Sequence, residues 1–425
     1  MYFLPLSLCL FLLIINFRKN LKITHPINLI FIVYFIFFYL RYFYISYLQE
    51  FSQAGHILNF NIYTTNALVV VSTFFLICMF IFFFFDKDLY RKYEYKILKK
   101  NISDDRIIIS IIIISLLSIV IFNYIFYKKN GTISFLTTPY DGTSTSDRWE
   151  GLFILRIFIT AIYIPFFYYL NKLLDKRLNF NKLIFFVLAL LIMIMSVLIN
   201  GTKGAYVEIA IILIILLLDR GFNYKKIAII FCLLLLTSIL FYKHSIEAHN
   251  LNLSINELNL FDFLAHIYNR FYFLEYIANT LNIFSSDNFL NNKAFYNLYE
   301  NFFPNFLNPE KQPIGNQLCI GIESHFPYNT KCTSFSLSYF LLDGGYIGFI
   351  FGAIIIIVVI KLWAFLYRLK SDFGKAIYYY YLINLIFFFT IEIGQLIFIT
   401  YKTLYLTSLI IIFRKKFTIT YEKQI

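Results

Sequence analysis

Between two apolar runs lies the hexapeptide Asn200-Gly201-Thr202-Lys203-Gly204-Ala205. A lysine set between two glycines at the start of a helix has a definite chemistry. The first turn of a helix offers unsatisfied backbone N–H groups and the positive end of the helix dipole. Gly201 and Gly204 allow close approach and positive φ, and Lys203 adds a full charge. Together they form an anion cradle sized for a phosphate or diphosphate. The plainer alternative is a hairpin turn whose lysine snorkels to ordinary lipid headgroups. Glu208 stands five residues after Lys203, close enough in sequence to pair with it.

Further charges interrupt apolar runs. Arg41, Arg156, Glu208, Glu392 and Lys402 all fall in the same half of their segments, and Asp343 precedes one. Ionisable groups inside a membrane are costly and are functional candidates by default. A proton or ion pathway spreads them through the whole thickness. Here they gather at one depth, which suits a site opening to one side. Lys361 lies near the opposite end, where snorkelling accounts for it.

The elements that carry these groups follow from composition. The chain has 425 residues, 60% of them hydrophobic and 21% aromatic, and only 14% charged. Repeated apolar runs of about 17–25 residues are long enough to cross ~30 Å of hydrocarbon as helices. The expected fold is an all-α polytopic membrane protein, a single integral domain over 1–425. Eleven spans are expected: 2–17, 27–48, 66–85, 107–127, 151–171, 183–199, 205–218, 227–242, 346–367, 376–392 and 396–413. Spans 183–199 and 205–218 are short, so the turn between them is expected to dip below the outer surface.

The net charge of +13 does not mark a nucleic-acid surface. Segments 18–26, 86–106, 172–182, 219–226, 368–375 and 414–425 hold 24 of the 37 Lys and Arg but 9 of the 24 Asp and Glu. That is the positive-inside bias read from alternate loops, not a basic aromatic module. The first apolar run lacks a basic n-region and a small-residue cleavage site, so it reads as a retained helix with its N-terminus outside. The tail 414–425 then lies inside.

One connection, 243–345, is too long for a simple link and is expected as a large, partly helical outer loop. Ser254-Ile-Asn-Glu257 has capping-box form ahead of an apolar-periodic stretch. On that stretch Asp262, His266 and Arg270 share one face at i, i+4 and i+8; ordinary solvated pairing is the plainer reading for Asp262. Cys319 and Cys332 sit in the same loop, either as a disulfide or as two free thiols. Asp86 and Asp88 form a D-x-D in a basic inner loop and read as a helix end.

Three patches in this order resemble the bacterial O-antigen polymerase family, the oligosaccharide repeat-unit polymerases, and the related O-antigen ligases. They are Gly201-Thr-Lys203-Gly204, where the family usually has G-x-R-G; Arg270 in IYNRFYFLEYIA; and TSFSLSYFLLDGGYIGFIFG, which carries Asp343. His325 stands where the ligase branch has a histidine. Lysine for arginine in the first patch keeps the charge but loses the two-pronged grip on phosphate, which Arg270 or Arg156 would then supply.

The resemblance implies transfer of a growing glycan from an undecaprenyl diphosphate carrier to the sugar of another lipid-linked repeat unit. That would occur at the periplasmic face of a bacterial inner membrane. Lys203 and Arg270, supported by Arg156 and the Gly201–Gly204 turn, would neutralise the departing diphosphate. His325, Glu208 or Asp343 would take the acceptor proton. No metal or cofactor is required. The partners would be the lipid-linked oligosaccharide, membrane lipids and a chain-length regulator protein. The alternatives are a ligase acting on lipid A-core and a flippase for the same lipid-linked unit. A flippase predicts internal repeats and charges spread through the depth. A metal-dependent oligosaccharyl transferase would want paired acids in the first outer loop, which has only Glu50. A membrane acyl-modifying enzyme would want histidines in or near helices at the membrane surface, whereas all six lie in loops or at helix ends.

Overall fold

A computed structural model describes residues 10, 12–13, 22, 24–43, 62–85, 104–131, 152–200, 203–222, 336–369, 371–390 and 394–413. Among them there is helix and no strand. A backbone in lipid has no water to bond, so each apolar segment must satisfy its own N–H and C=O groups, and a helix does so.

The helices, in chain order, are α1 (Pro26–Tyr34), α2 (Ile62–Phe85), α3 (Asp104–Asn130), α4 (Phe153–Thr160), α5 (Tyr163–Leu174), α6 (Phe180–Asn200), α7 (Lys203–Asp219), α8 (Ser336–Tyr367), α9 (Asp372–Thr390) and α10 (Gly394–Phe413). Among the described residues, four stretches are long and apolar enough to cross a membrane: Pro26–Phe43, Asp105–Lys129, Ile154–Leu174 and Phe180–Ile199. The chain is therefore read as a membrane-embedded helical protein.

Several boundaries depart from the sequence reading. The expected single span 151–171 is two helices broken at Ala161–Ile162. Pro165 is the cause: it has no N–H to give the carbonyl of Ala161 four residues back. That carbonyl accepts from Ile164 instead, at 3.0 Å. α1 passes into a π-helical turn at Phe35–Tyr39, which no sequence signal announced. α6 has 21 residues and α7 has 17, both longer than expected. At 1.5 Å per residue α6 is about 31 Å long and crosses fully, whereas α7 at about 25 Å stays short. α8 begins at Ser336 rather than 346 and has 32 residues. Its length of about 48 Å exceeds the hydrocarbon thickness, so part of it projects beyond.

α9 is the axis of the bundle. It packs against α5, α8, α10, α1 and α7. Its residues Tyr378, Tyr379, Tyr380 and Tyr381 are consecutive, so they point around the whole helix, and all four are buried. A helix apolar or aromatic all round belongs in an interior. Its start is capped by Ser371, whose Oγ accepts from the Gly374 N–H at 2.9 Å. A Cβ on Gly374 would meet Leu369 Cβ at 2.6 Å, so the turn into the axis needs glycine there. By contrast α3 and α6 turn broad apolar faces outward, including Leu117, Val120, Ile184 and Leu191.

Candidate functional site

The two ends of the bundle differ in kind. At one end, residues from five of the basic segments meet. Asp219, at the end of α7, accepts from Thr24 at 3.2 Å and pairs with Lys22 at 3.5 Å and Lys375 at 4.0 Å. Asp175, after α5, is bonded by both Arg177 and Arg220. Arg177 also reaches Asp372 at 3.0 Å, and Arg220 donates to Asn171 Oδ1 at 2.7 Å. Asp105, in the first turn of α3, accepts from the Tyr168 hydroxyl at 3.0 Å and pairs with Lys182 at 3.3 Å.

Local backbone turns make these contacts possible. Past α7, Gly221 takes φ +72, and the Phe222 N–H closes on the Leu217 carbonyl. This is a Schellman-type stop. Past α5 the same closure runs from Arg177 to Lys172, with Lys176 at φ 55 in the glycine position. Burial opposes ionisation of Asp175, but the Arg177 hydrogen bond and the Arg220 charge hold its carboxyl below the usual range.

His25 belongs to this end too. Its Nδ1 accepts from the Ile27 N–H at 3.4 Å, capping α1, and its ring meets Tyr367 edge-on at 5.2 Å. Burial, reinforced by the Arg368 charge, lowers its pKa to about 4.

The other end carries Lys203, Glu208, Asp343 and Arg156, the described residues among those singled out above as site candidates. α7 and α8 end at the ion-pair end, α4 runs on into α5, which ends there, and α10 follows α9, which starts there, so the starts of α4, α7, α8 and α10 share the far end. Lys203 is the first residue of α7, and Gly204 and Glu208 follow on the same helix. Gly204 is thus helical, whereas the expected span began at 205 and left Gly204 in the turn. Asp343 lies on α8 rather than in a loop before it. Arg156 lies in the first turn of α4 with its guanidinium over the Phe398 ring, 5.2 Å from the centroid. Thr160 bonds back to the Arg156 carbonyl at 2.9 Å. Gly201, Arg270 and His325, with Asp262, His266, Cys319 and Cys332, lie outside the described residues.

Deeper in the same half sit two enclosed cations. Arg41 is 0% exposed, just past the π turn in the span Pro26–Phe43 and about 22 Å along it from Pro26. Lys402, 5% exposed, is about 12 Å into α10. Its ammonium donates to the Tyr380 carbonyl at 3.0 Å and to Asn384 Oδ1, and stands 3.8 Å above the Tyr380 ring. The sequence reading placed Lys402 in this half but missed Asn384 and Tyr380. The available signal was a single amide, in YLIN, within an otherwise apolar run.

Fold and site together define a class, a multi-helix membrane protein with a polar lock at one end and cations at and below the other. No family model matches the chain, and no curated protein or solved structure does either.

Proposed function

We propose that the chain is a membrane glycosyltransferase that polymerises undecaprenyl-diphosphate-linked repeat units into a surface polysaccharide of the O-antigen type. In this reading eleven spans cross a bacterial inner membrane, with the N-terminus periplasmic and the C-terminus cytoplasmic. The ion-pair end gathers the basic segments and faces the cytoplasm by the positive-inside bias. The far end then faces the periplasm, as does the long connection 243–345.

The observation that carries the reading is the gathering of positive groups in one half of the bundle: Arg156 at the mouth, Lys203 opening α7, and Arg41 and Lys402 below. Fixed cations in a medium of low dielectric stabilise a departing lipid diphosphate far better than water does. Lys203, Arg270 and Arg156 take that role, and His325, Glu208 or Asp343 accepts the proton of the attacking hydroxyl. The glycosidic bond forms as the sugar–phosphate bond breaks, and the lipid diphosphate leaves with the electron pair. The carrier suits the half-depth of the site, since its phosphates lie at the headgroup level and its tail in hydrocarbon.

Deletion followed by gel analysis of surface lipopolysaccharide tests this. A polymerase loss leaves one repeat unit on the core. A ligase loss leaves none on the core while lipid-linked polymer accumulates, and a flippase loss leaves neither product outside. Either of the last two results overturns the reading.

A further inference from the structure

We propose that Lys402 is a positioning residue: through Tyr380 and Phe398 it fixes the guanidinium of Arg156 at the mouth of the far-end site. This rests on the functional reading above only for its consequence, not for its geometry.

Two contact paths join the residues. The first runs through α9. Lys402 holds the Tyr380 carbonyl at 3.0 Å and caps its ring at 3.8 Å. The phenol of the same tyrosine donates to the Ile157 carbonyl at 3.4 Å, one residue after Arg156. Tyr380 is therefore gripped at its backbone and ring by α10 and grips the backbone of α4 with its hydroxyl. The second path runs along α10. Phe398 precedes Lys402 by four residues, so the two share a helix face. Pinning Lys402 to Asn384 and Tyr380 sets the rotation of α10, and that rotation aims the Phe398 ring at Arg156. One turn further on, Tyr405 meets Phe158 at 5.1 Å, so the same α10 face touches α4 again.

The chemistry of Lys402 fits this role rather than contact with a substrate. An ammonium has three donor positions. Here a carbonyl, an amide oxygen and an aromatic face surround it at 5% exposure. A charge held so far inside is costly unless its partners are fixed, which makes the clamp rigid. A guanidinium over an aromatic face is attracted to that face, so a rigid support beneath the Phe398 ring helps to aim Arg156.

The test reads Arg156 directly. Full-length protein in detergent is treated with phenylglyoxal, and modification of Arg156 is followed by peptide mass spectrometry. Lys402→Met should speed that reaction to the rate seen in Phe398→Ala. Asn384→Leu should do the same, whereas Asn384→Asp, which keeps an oxygen acceptor, should stay near wild type. Should Lys402→Met fail to accumulate, the Asn384 pair carries the same comparison. Chain assembly in membranes should fall about tenfold in Lys402→Met, since misplacement of a catalytic cation costs rate without removing it. The double variant Lys402→Met with Arg156→Gln should be no slower than Arg156→Gln alone. Unchanged Arg156 reactivity, or losses that simply multiply, would overturn the proposal. Faster Arg156 modification with unchanged chain assembly in every variant would leave the positioning intact and sink the functional reading instead.

Discussion

At the Asp175–Arg220 end every described carboxylate meets cations from other segments; in the other half, cations sit among aromatic rings, amides and carbonyls. The first arrangement closes a charge network on itself. It joins the segments before α1 and α3 and those after α5, α7 and α8, and so fixes helix ends against one another. The second concentrates positive potential in a poorly polarisable place. Polar side chains in the same membrane protein can therefore serve as fasteners or as a field, and the choice of partner decides which.

The comparison can be broken first at the fastener. Arg220→Leu removes the cation that Asp175 and Asn171 share. Losing one member of a largely enclosed pair costs about 3 kcal/mol or more. Thermal unfolding in detergent should show a marked drop, and an unchanged midpoint would mean that the network is ornamental. At the field end the effect should be on rate instead. Arg156→Gln should slow chain assembly about 100-fold, in the range for removing one group that stabilises developing charge, while stability changes little. Equal loss of stability would make Arg156 a fastener too.

The next effect concerns acid and is small until the pH falls well below 6. His25 has its folded pKa lowered to about 4 from the usual 6.5. Between those values the unfolded chain binds the proton and the folded chain does not, so stability is full above the unfolded value and falls as pH drops towards 4. The loss should grow to roughly 3 kcal/mol by the time pH reaches 4. His25→Asn keeps a capping side chain but does not titrate, so its stability should lose that slope. An identical slope in both proteins would rule out His25 as its source. Smallest is Lys22→Ala. Lys22 is 61% exposed against Asp219, and its removal should cost under about 1 kcal/mol. A larger cost would mean that the rim of the network is as strong as its hub.

The sequence made some of this legible and not the rest, for physical reasons. Length and apolarity reveal a span because lipid thickness sets them, and basic loops reveal a shared end because topology alternates. Residues from five such loops do meet. The partner of Lys402 was hidden because Asn384 lies on a different helix, and a single amide has no period. The break at Ala161–Ile162 was written in Pro165, yet the apolar run around it masked it. Lys203 was found from its glycines, but its place as the first residue of α7 depends on where the helix nucleates, which glycine leaves open. The π turn before Arg41 arises among crowded aromatics, with Phe35 stacked on Tyr39 at 5.6 Å, and has no pattern of its own.

The most direct measurement is the sidedness of the two ends. Tyr127, near the far end of α3, and Arg177, at the ion-pair end, are both exposed, at 55% each. In a chain with its native cysteines replaced by serine, Tyr127→Cys and Arg177→Cys are treated with a membrane-impermeant maleimide from the periplasmic side. The account predicts labelling at 127 in intact cells and at 177 only after the inner membrane is ruptured. Labelling at 177 alone, or at both without rupture, would contradict it.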